Sequence, residues 1–330
     1  MKIEIFKGKG KKKQFYTGLN QGMGVMKTGT KEWAKSNLNF QLGCEHGCRY
    51  CYAREMAVNR FNRCTVEQWT QPVIDNEKVD QPRGKRKGII MFPSTHDLTP
   101  LNMSQYLCVL RKLLDAGNKV LIVSKPHWSC ITVICDFYTE FRDQIMFRFT
   151  IGSMNDEILS FWEPEAPNFA ERLACLQYAF QRGFKTSVSC EPYLDPYVVY
   201  TYTACKGYLT DSFWIGKLKH FDRRVDLSGI STEEIEKFVK PLKAAQGDDI
   251  VKSMYRLLDG RPFVQWKDSI REVMKRTAKD KKRIKGYWRP LECPECGAKM
   301  ICDGTTPPIR HYKCTKCKYR QKVVEQNILT

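Results

Sequence analysis

The sequence predicts an α/β chain: a partial, open (β/α)6 barrel with a small cysteine-rich ribbon toward its C-terminal end. Three observations predict it. From about residue 38, short apolar runs alternate with longer segments that are apolar at helical spacing, the pattern of a parallel sheet with helices outside it. Four of the runs end in short polar stretches, in register with a loop of three cysteines that follows the first run. Further on, two Cys-x2-Cys pairs stand seventeen residues apart.

Taken in order, residues 38–42 read as a strand running straight into the cysteine loop. Residues 89–92 are a buried strand, followed by a helix carrying Tyr106, Leu107, Leu110, Leu113 and Leu114 on one face. A strand at 120–123 leads to a helix over 128–141. Strands at 146–151 and 186–189 flank a helix around Leu173, Leu176, Tyr178 and Phe180. A sixth strand at 213–216 precedes a helix over 230–242, with Ser231 or Thr232 as its cap and Glu233 and Glu234 in its first turn.

Strand two runs into Pro93-Ser94-Thr95-His96-Asp97, strand three into Ser124-Lys125-Pro126-His127, and strand four into Gly152-Ser153-Met154-Asn155-Asp156-Glu157. Strand five runs into Cys190-Glu191-Pro192. Turn chemistry and helix capping account for any one of these. Four in register are better explained by a cofactor lying across the barrel mouth, where (β/α) barrels carry their reactive groups.

The cysteine loop is Gly43-Cys44-Glu45-His46-Gly47-Cys48-Arg49-Tyr50-Cys51-Tyr52-Ala53-Arg54. Its Cys-x3-Cys-x2-Cys spacing is too tight for the cysteines to pair with one another. Such a loop can wrap a [4Fe–4S] cube with thiolates on three corners, leaving the fourth iron for another ligand. The alternative is a zinc knuckle completed by His46 or a remote residue. Cys293, Cys296, Cys314 and Cys317 match a four-thiolate zinc ribbon, with rubredoxin-like iron as the runner-up and Cys302 unassigned. That site has no open coordination position, so it is expected to be structural and to fold only with its metal.

With 42% hydrophobic residues and no run approaching a membrane span, the chain has enough apolar residues for an ordinary core. Fifteen cysteines without an apolar signal core read as metal ligands and buried thiols, so a cytoplasmic location and no membrane partner are expected. Residues 1–35 hold nine Lys/Arg against two acids and residues 271–330 hold sixteen against six, so nearly all of the +19 excess sits in the flanks. This distribution points to a polyanionic partner, most simply nucleic acid. Basic residues interleave with aromatics in the ribbon (Arg310, His311, Tyr312, Lys313, Lys316, Lys318, Tyr319, Arg320), which suits phosphate contacts and base stacking. A ribbon that binds protein or props the barrel is the alternative. The expected domains are a basic arm at 1–37, the barrel at 38–270, a basic helix or linker at 271–286, and the ribbon at 287–330. Phe15, Tyr16 and Trp33 are candidates for packing the arm on the barrel or stacking on bases.

The pattern at 43–54 resembles the radical S-adenosylmethionine (SAM) family of spore photoproduct lyase and its relatives. So does Asp156-Glu157 followed by Glu163-Pro164-Glu165-Ala166-Pro167 and Arg172-Leu173. The resemblance covers roughly residues 38–220. It implies a radical SAM barrel in which Cys44, Cys48 and Cys51 ligate the cluster and Tyr50 lies near the adenine of SAM. Ser94, Thr95, His96 and Asp97 stand where those lyases contact the methionine moiety, Lys125 matches a lysine for the SAM carboxylate, and Ser153 a serine beside the cofactor. Arg172 is implied to be structural or cofactor-adjacent. The lyases start that turn with a hydrogen-donating cysteine where this chain has Ser94, whose O–H bond is too strong to give its hydrogen to a carbon radical. Cys190 is the spare thiol for that catalytic role, with a small buried hydrophobe as its alternative.

The implied activity is reductive cleavage of SAM to a 5′-deoxyadenosyl radical and hydrogen abstraction from a substrate. That substrate is expected to be a nucleic acid, with DNA favoured over RNA, and the expected electron donor is a flavodoxin or ferredoxin. Modification of RNA or protein is the alternative, as is a non-catalytic iron–sulfur and zinc protein that binds nucleic acid.

Overall fold

The computed structural model describes residues 28–285, 293, 295–298, 300–306 and 309–324; within these, the side chains of 277–285, 301–306, 309–312 and 321–324 are not described. The chain divides into two compact units, Met1–Ile270 and Arg271–Thr330.

The first unit is built on a parallel sheet of seven strands among the described residues: β1 (Ser36–Asn37), β2 (Ile89–Met91), β3 (Lys119–Ser124), β4 (Ile145–Thr150), β5 (Lys185–Cys190), β6 (Phe213–Ile215) and β7 (Val264–Trp266). Spatial order follows chain order throughout. The order never reverses, so right-handed crossovers place successive helices on one face, as in a barrel and unlike a doubly wound sheet. β1 and β7 do not pair with each other, so the sheet stays open. The helices used below are α1 (Tyr52–Glu55), α2 (Met103–Asp115), α3 (Trp128–Phe137), α4 (Asp156–Trp162), α5 (Phe169–Gln181) and α6 (Phe221–Arg224).

Alternation along the strands sorts the two faces. Phe147 and Phe149 are fully buried, and Phe147 packs on the Phe184 ring at 5.4 Å. Val109, Leu110 and Leu113 of α2 and Ile131 and Ile134 of α3 add to this core, each such burial contributing about 1.5–3 kcal/mol. Arg148 lies between the two phenylalanines and so faces the other way, donating to Ser187 (2.8 Å) and to Asp211 (3.2 Å). Its guanidinium stacks on Trp33, which meets Trp214 edge-on at 6.0 Å. Residues around Trp33 therefore pack on the sheet, while Phe15 and Tyr16 lie outside the described residues.

Three elements differ from the sequence expectation. The strand expected at 38–42 is divided: Ser36–Asn37 joins the main sheet, and Gln41–Leu42 pairs antiparallel with Val73–Ile74. Asn39 lies between them, its side chain committed to the 94–95 turn. A seventh strand, β7, carries no apolar run. The helix expected over 128–141 stops at Phe137 and continues as the 3-10 turn Thr139–Gln144. At 230–242, Ser231 is the cap, in a capping box with Glu234. No described helix is long and apolar enough to cross a membrane.

In the second unit, β8 (Met300–Thr306), β9 (Ile309–Cys314) and β10 (Arg320–Val324) form an antiparallel three-stranded sheet.

Candidate metal and cofactor site

The cysteine loop begins with a glycine that backbone geometry requires. Gly43 has φ +91°, and a Cβ there would lie 2.6 Å from the Trp69 carbonyl oxygen. That same carbonyl accepts the Cys44 N–H at 2.8 Å. The loop is further pinned by Arg49 N–H to the Trp162 carbonyl (2.9 Å) and by Asp226 N–H to the Arg49 carbonyl (2.9 Å). Cys51 then caps α1, its sulfur accepting from the Arg54 N–H.

Cys44 and Cys48 are buried, and Cys51 is partly exposed. Burial pushes the Cys44 thiol up to about 12 and the Cys48 thiol well above its ordinary range; the Lys125 charge opposes both shifts. The three sulfurs are not gathered within 4.8 Å of one another. A single tetrahedral ion with Zn–S bonds near 2.3 Å would hold its sulfurs roughly 3.8 Å apart. As placed, the three thiols are therefore more spread than one such ion would hold them. His46, the residue that would complete a zinc knuckle, is engaged otherwise: Nδ1 lies 2.9 Å from Asp97 and Nε2 lies 2.8 Å from Nε2 of His127, one proton lying between the rings. Cys44, His46 and Asp97 do bring one donor atom each within 4.8 Å of one another.

Asp97 is the hub. One carboxylate oxygen accepts from Ser124 (3.0 Å) and the Lys125 N–H (2.9 Å), the other from Lys125 Nζ (3.2 Å) and His46. Burial alone would raise its carboxyl, but Lys125 and His46 outweigh burial and hold it well below the usual range. Burial would likewise lower Lys125, yet Asp97, Cys48, Tyr50 and Glu163 hold it above its ordinary value. The site thus keeps a fixed cation and a fixed anion beside the cysteines, away from water.

The turn after β2 is held from outside. Asn39 accepts from the N–H groups of Ser94 (2.7 Å) and Thr95 (3.0 Å) and donates to the Ser94 hydroxyl (3.0 Å), while the Tyr52 hydroxyl donates to the Ser94 carbonyl. Thr95 lines a cavity of about 690 Å³ together with Asn39, Gly43, Ala53 and Met56. His96 turns into the core, 6% exposed and edge-on to Phe40 at 5.0 Å; burial lowers it to about 4. The Ser153 hydroxyl accepts the Asn155 N–H at 2.9 Å, the turn role open to it from the start, and Asn155 caps α4.

Tyr50 is buried and its hydroxyl donates to Glu163. Glu163 pairs with Arg172 at 2.6 Å, both side chains fully buried, and Arg172 also donates to the carbonyls of Pro167 and Thr150. The two charged residues of the 163–173 signature are therefore one ion pair that fixes the ring preceding Cys51. Cys190, the candidate hydrogen donor, has no exposed surface. Its thiol meets the Gly152 carbonyl at 3.9 Å, and burial raises its pKa well above the ordinary value. That burial is what its alternative reading, a small buried hydrophobe, expects.

Sequence reasoning missed Asn39, Tyr52 and Glu163 as supports and the contact of His127 with His46. Each acts across 40 to 120 positions of sequence, and no local pattern marks such a partner.

In the second unit Cys293, Cys296, Cys314 and Cys317 converge. The pairs Cys293–Cys317, Cys296–Cys314 and Cys296–Cys317 are each 3.5 Å apart, close to the spacing one tetrahedral ion imposes. The N–H groups of Cys317 and Lys316 point at the Cys314 sulfur and lower its pKa to about 6. The residue after each second cysteine is left-handed: Gly297 at φ +67° and Lys318 at φ +64°. The side chains of Arg310, His311 and Tyr312 lie outside the described residues.

No family model matches the chain. The uncharacterized protein ORF301 of Acidianus two-tailed virus is 29% identical over 184 residues, which span 52% of this chain and 60% of the viral protein. Among solved structures, a spore photoproduct lyase mutant with a dinucleoside spore photoproduct is 14% identical, with a TM-score of 0.40 over 70% of this chain and 75% of the lyase. Streptococcus suis SuiB bound to S-adenosylmethionine is 10% identical, with a TM-score of 0.41 over 70% of this chain and 50% of SuiB.

Proposed function

We propose that the chain is a radical SAM enzyme that carries one [4Fe–4S] cluster on Cys44, Cys48 and Cys51 and abstracts hydrogen from a substrate held at the open face of the sheet. The observation that carries this reading is the thiol set itself: three cysteines on one pinned loop, two of them buried, beside the fixed Lys125–Asp97 pair. When bound, the cluster and SAM supply one-electron cleavage of a sulfonium C–S bond and so a hydrogen-abstracting carbon radical.

The protein's own groups bind and orient. Lys125 is the cation for the SAM carboxylate, and Asp97 keeps it charged and in place. Ser94 and Thr95 offer short oxygen-bearing side chains at the rim, on a turn that Asn39 keeps rigid. Tyr50, locked by Glu163, presents a fixed ring for the adenine side. Ser153 and His96, which the resemblance also places at the cofactor, hold these loops from the core side. The C-terminal ribbon binds zinc through its four thiolates and has no position left for chemistry.

The substrate in this reading is a nucleic acid because the positive charge is concentrated in the two flanks, and DNA comes before RNA through the resemblance of residues 43–54 and 156–173 to the spore photoproduct lyase family. A base buried in a duplex would have to be flipped out to reach the radical. A flavodoxin or ferredoxin would deliver the electron. The test is anaerobic loading with iron and sulfide, then reduction with SAM present and a search for 5′-deoxyadenosine, with deuterated DNA, RNA and cell extract as hydrogen sources. Deoxyadenosine that takes up label from DNA is the expected result. Zinc alone at the three cysteines, with no sulfide bound, would end the proposal.

A further inference from the structure

We propose that Arg224, at the C-terminal end of α6, binds a backbone phosphodiester of the nucleic-acid strand at the rim of the site. The inference rests on the nucleic-acid reading above and assigns it a contact.

Residues 217–224 carry Lys217, Lys219, His220, Arg223 and Arg224 against the single acid Asp222. Their partners differ. Lys217 pairs with Asp248 (3.6 Å), Lys219 with Asp268 (2.7 Å) and Arg223 with Glu55 (3.1 Å). Arg224 has no carboxylate within ion-pair distance among the described residues, and its buried Nε has no hydrogen-bond partner. The guanidinium lies over the ring of Tyr52, 5.8 Å from its centre. Tyr52 directly follows the last loop cysteine and donates to the Ser94 carbonyl, so Arg224 stands beside the loop and turn that form the site.

A cavity of about 170 Å³ opens there, lined by Arg54, Glu55, Asn59, Arg223, Arg224 and Asp226 among others. Arg54 is paired with Asp226 at 3.4 Å, and the side chains of Arg54 and Glu55 are each only 9% exposed. Those six residues hold three guanidiniums against two carboxylates, each carboxylate already matched. The unmatched charge is Arg224. A phosphodiester brings one negative charge and neutralises it, whereas free phosphate near pH 7 brings more than one. Burial and the neighbouring Arg223 both push the Arg224 guanidinium below its ordinary pKa, an unfavourable electrostatic environment that a bound anion relieves. The Tyr52 ring beside it is suited to stacking a sugar or base.

The experiment compares full-length, cluster-loaded wild type with Arg224→Gln, Arg224→Lys and the control Arg111→Gln, whose arginine pairs with Asp115 on α2. Fluorescence anisotropy of a short labelled single-stranded oligonucleotide is read across a salt series. The basic flanks add binding common to all variants, so the difference between variants is the readout. Arg224→Gln is expected to weaken binding about 5–10-fold and to flatten the slope of log affinity against log salt by about 0.7, one phosphate contact, while Arg111→Gln matches wild type. Arg224→Lys, which keeps the charge and serves if the Gln variant loses thermal stability, is expected to fall between them. Binding within twofold of wild type with an unchanged slope for both Arg224 variants overturns the proposal, as does no binding by wild type. So does inorganic phosphate raising the melting temperature of wild type but not of Arg224→Gln when oligonucleotide affinity is equal. Deoxyadenosine formation by wild type is scored separately, so the enzyme reading stands or falls without this contact.

Discussion

Glu163 and Arg172 show how one buried contact can organise a site. Neither side chain reaches water, and their ion pair anchors the Tyr50 ring of the cysteine loop. Replacing Glu163 with Gln leaves a buried guanidinium unpaired, which should cost about 3–5 kcal/mol, whereas the double change Glu163→Leu with Arg172→Met should recover much of it. Urea denaturation of the three proteins checks this; a loss under 1 kcal/mol for the single variant, on about the same scale, would show the pair is not the anchor. His96 adds a pH term. Burial holds it at about 4, below the 6.5 of an accessible histidine, so between those values the unfolded chain binds a proton that the folded chain refuses. Its contribution is complete above pH 6.5 and is lost as pH falls toward 4, by about 3 kcal/mol over that range. Wild type should therefore lose more stability than His96→Gln between neutral and acid pH; parallel curves of urea midpoint against pH would rule this out.

The two cysteine-rich elements use the same device, a left-handed residue beside a cysteine. At Gly43 a side chain would strike the Trp69 carbonyl, so Gly43→Ala should disturb the loop and lower its iron content after reconstitution, measured as iron per chain. In the ribbon, Gly297 and Lys318 hold equivalent places after Cys296 and Cys317, yet only the first is glycine. Lys318→Gly should remove left-handed strain of about 1 kcal/mol and slow metal loss to a chelator by roughly fivefold. An unchanged or faster release would show that the strain is compensated elsewhere. Among the strands, β2, β3, β4 and β6 were legible because each carries an apolar run, and β5 by its place after a helical pattern. β1 and β7 were not: Ser36–Asn37 has no apolar residue, and Gln265 interrupts the apolar residues of Val264–Trp266. Both are edge strands, placed by pairing with a neighbour rather than by their own composition.

For the whole molecule, two compact units carry two thiol sets with different sulfur spacing. Exchanging Cys44, Cys48 and Cys51 for Ala should abolish iron and sulfide and leave about one zinc per chain, and exchanging the four ribbon cysteines should do the reverse. Elemental analysis of both variants checks it, and coupled loss of the two metals would contradict independent sites.

By itself the sequence determined the α/β alternation, the cysteine loop, the four-thiolate ribbon and the polar strand ends, because each is written in spacing along a few neighbouring residues. Tertiary structure alone decided that Asp97 gathers His46, Ser124 and Lys125, that Glu163 anchors Tyr50, that Cys190 faces the core, and that Arg224 lacks a carboxylate partner. Those contacts join distant loops at the ends of parallel strands. Which loops meet there is set by strand order and the path of each crossover, and no local stretch of residues encodes that.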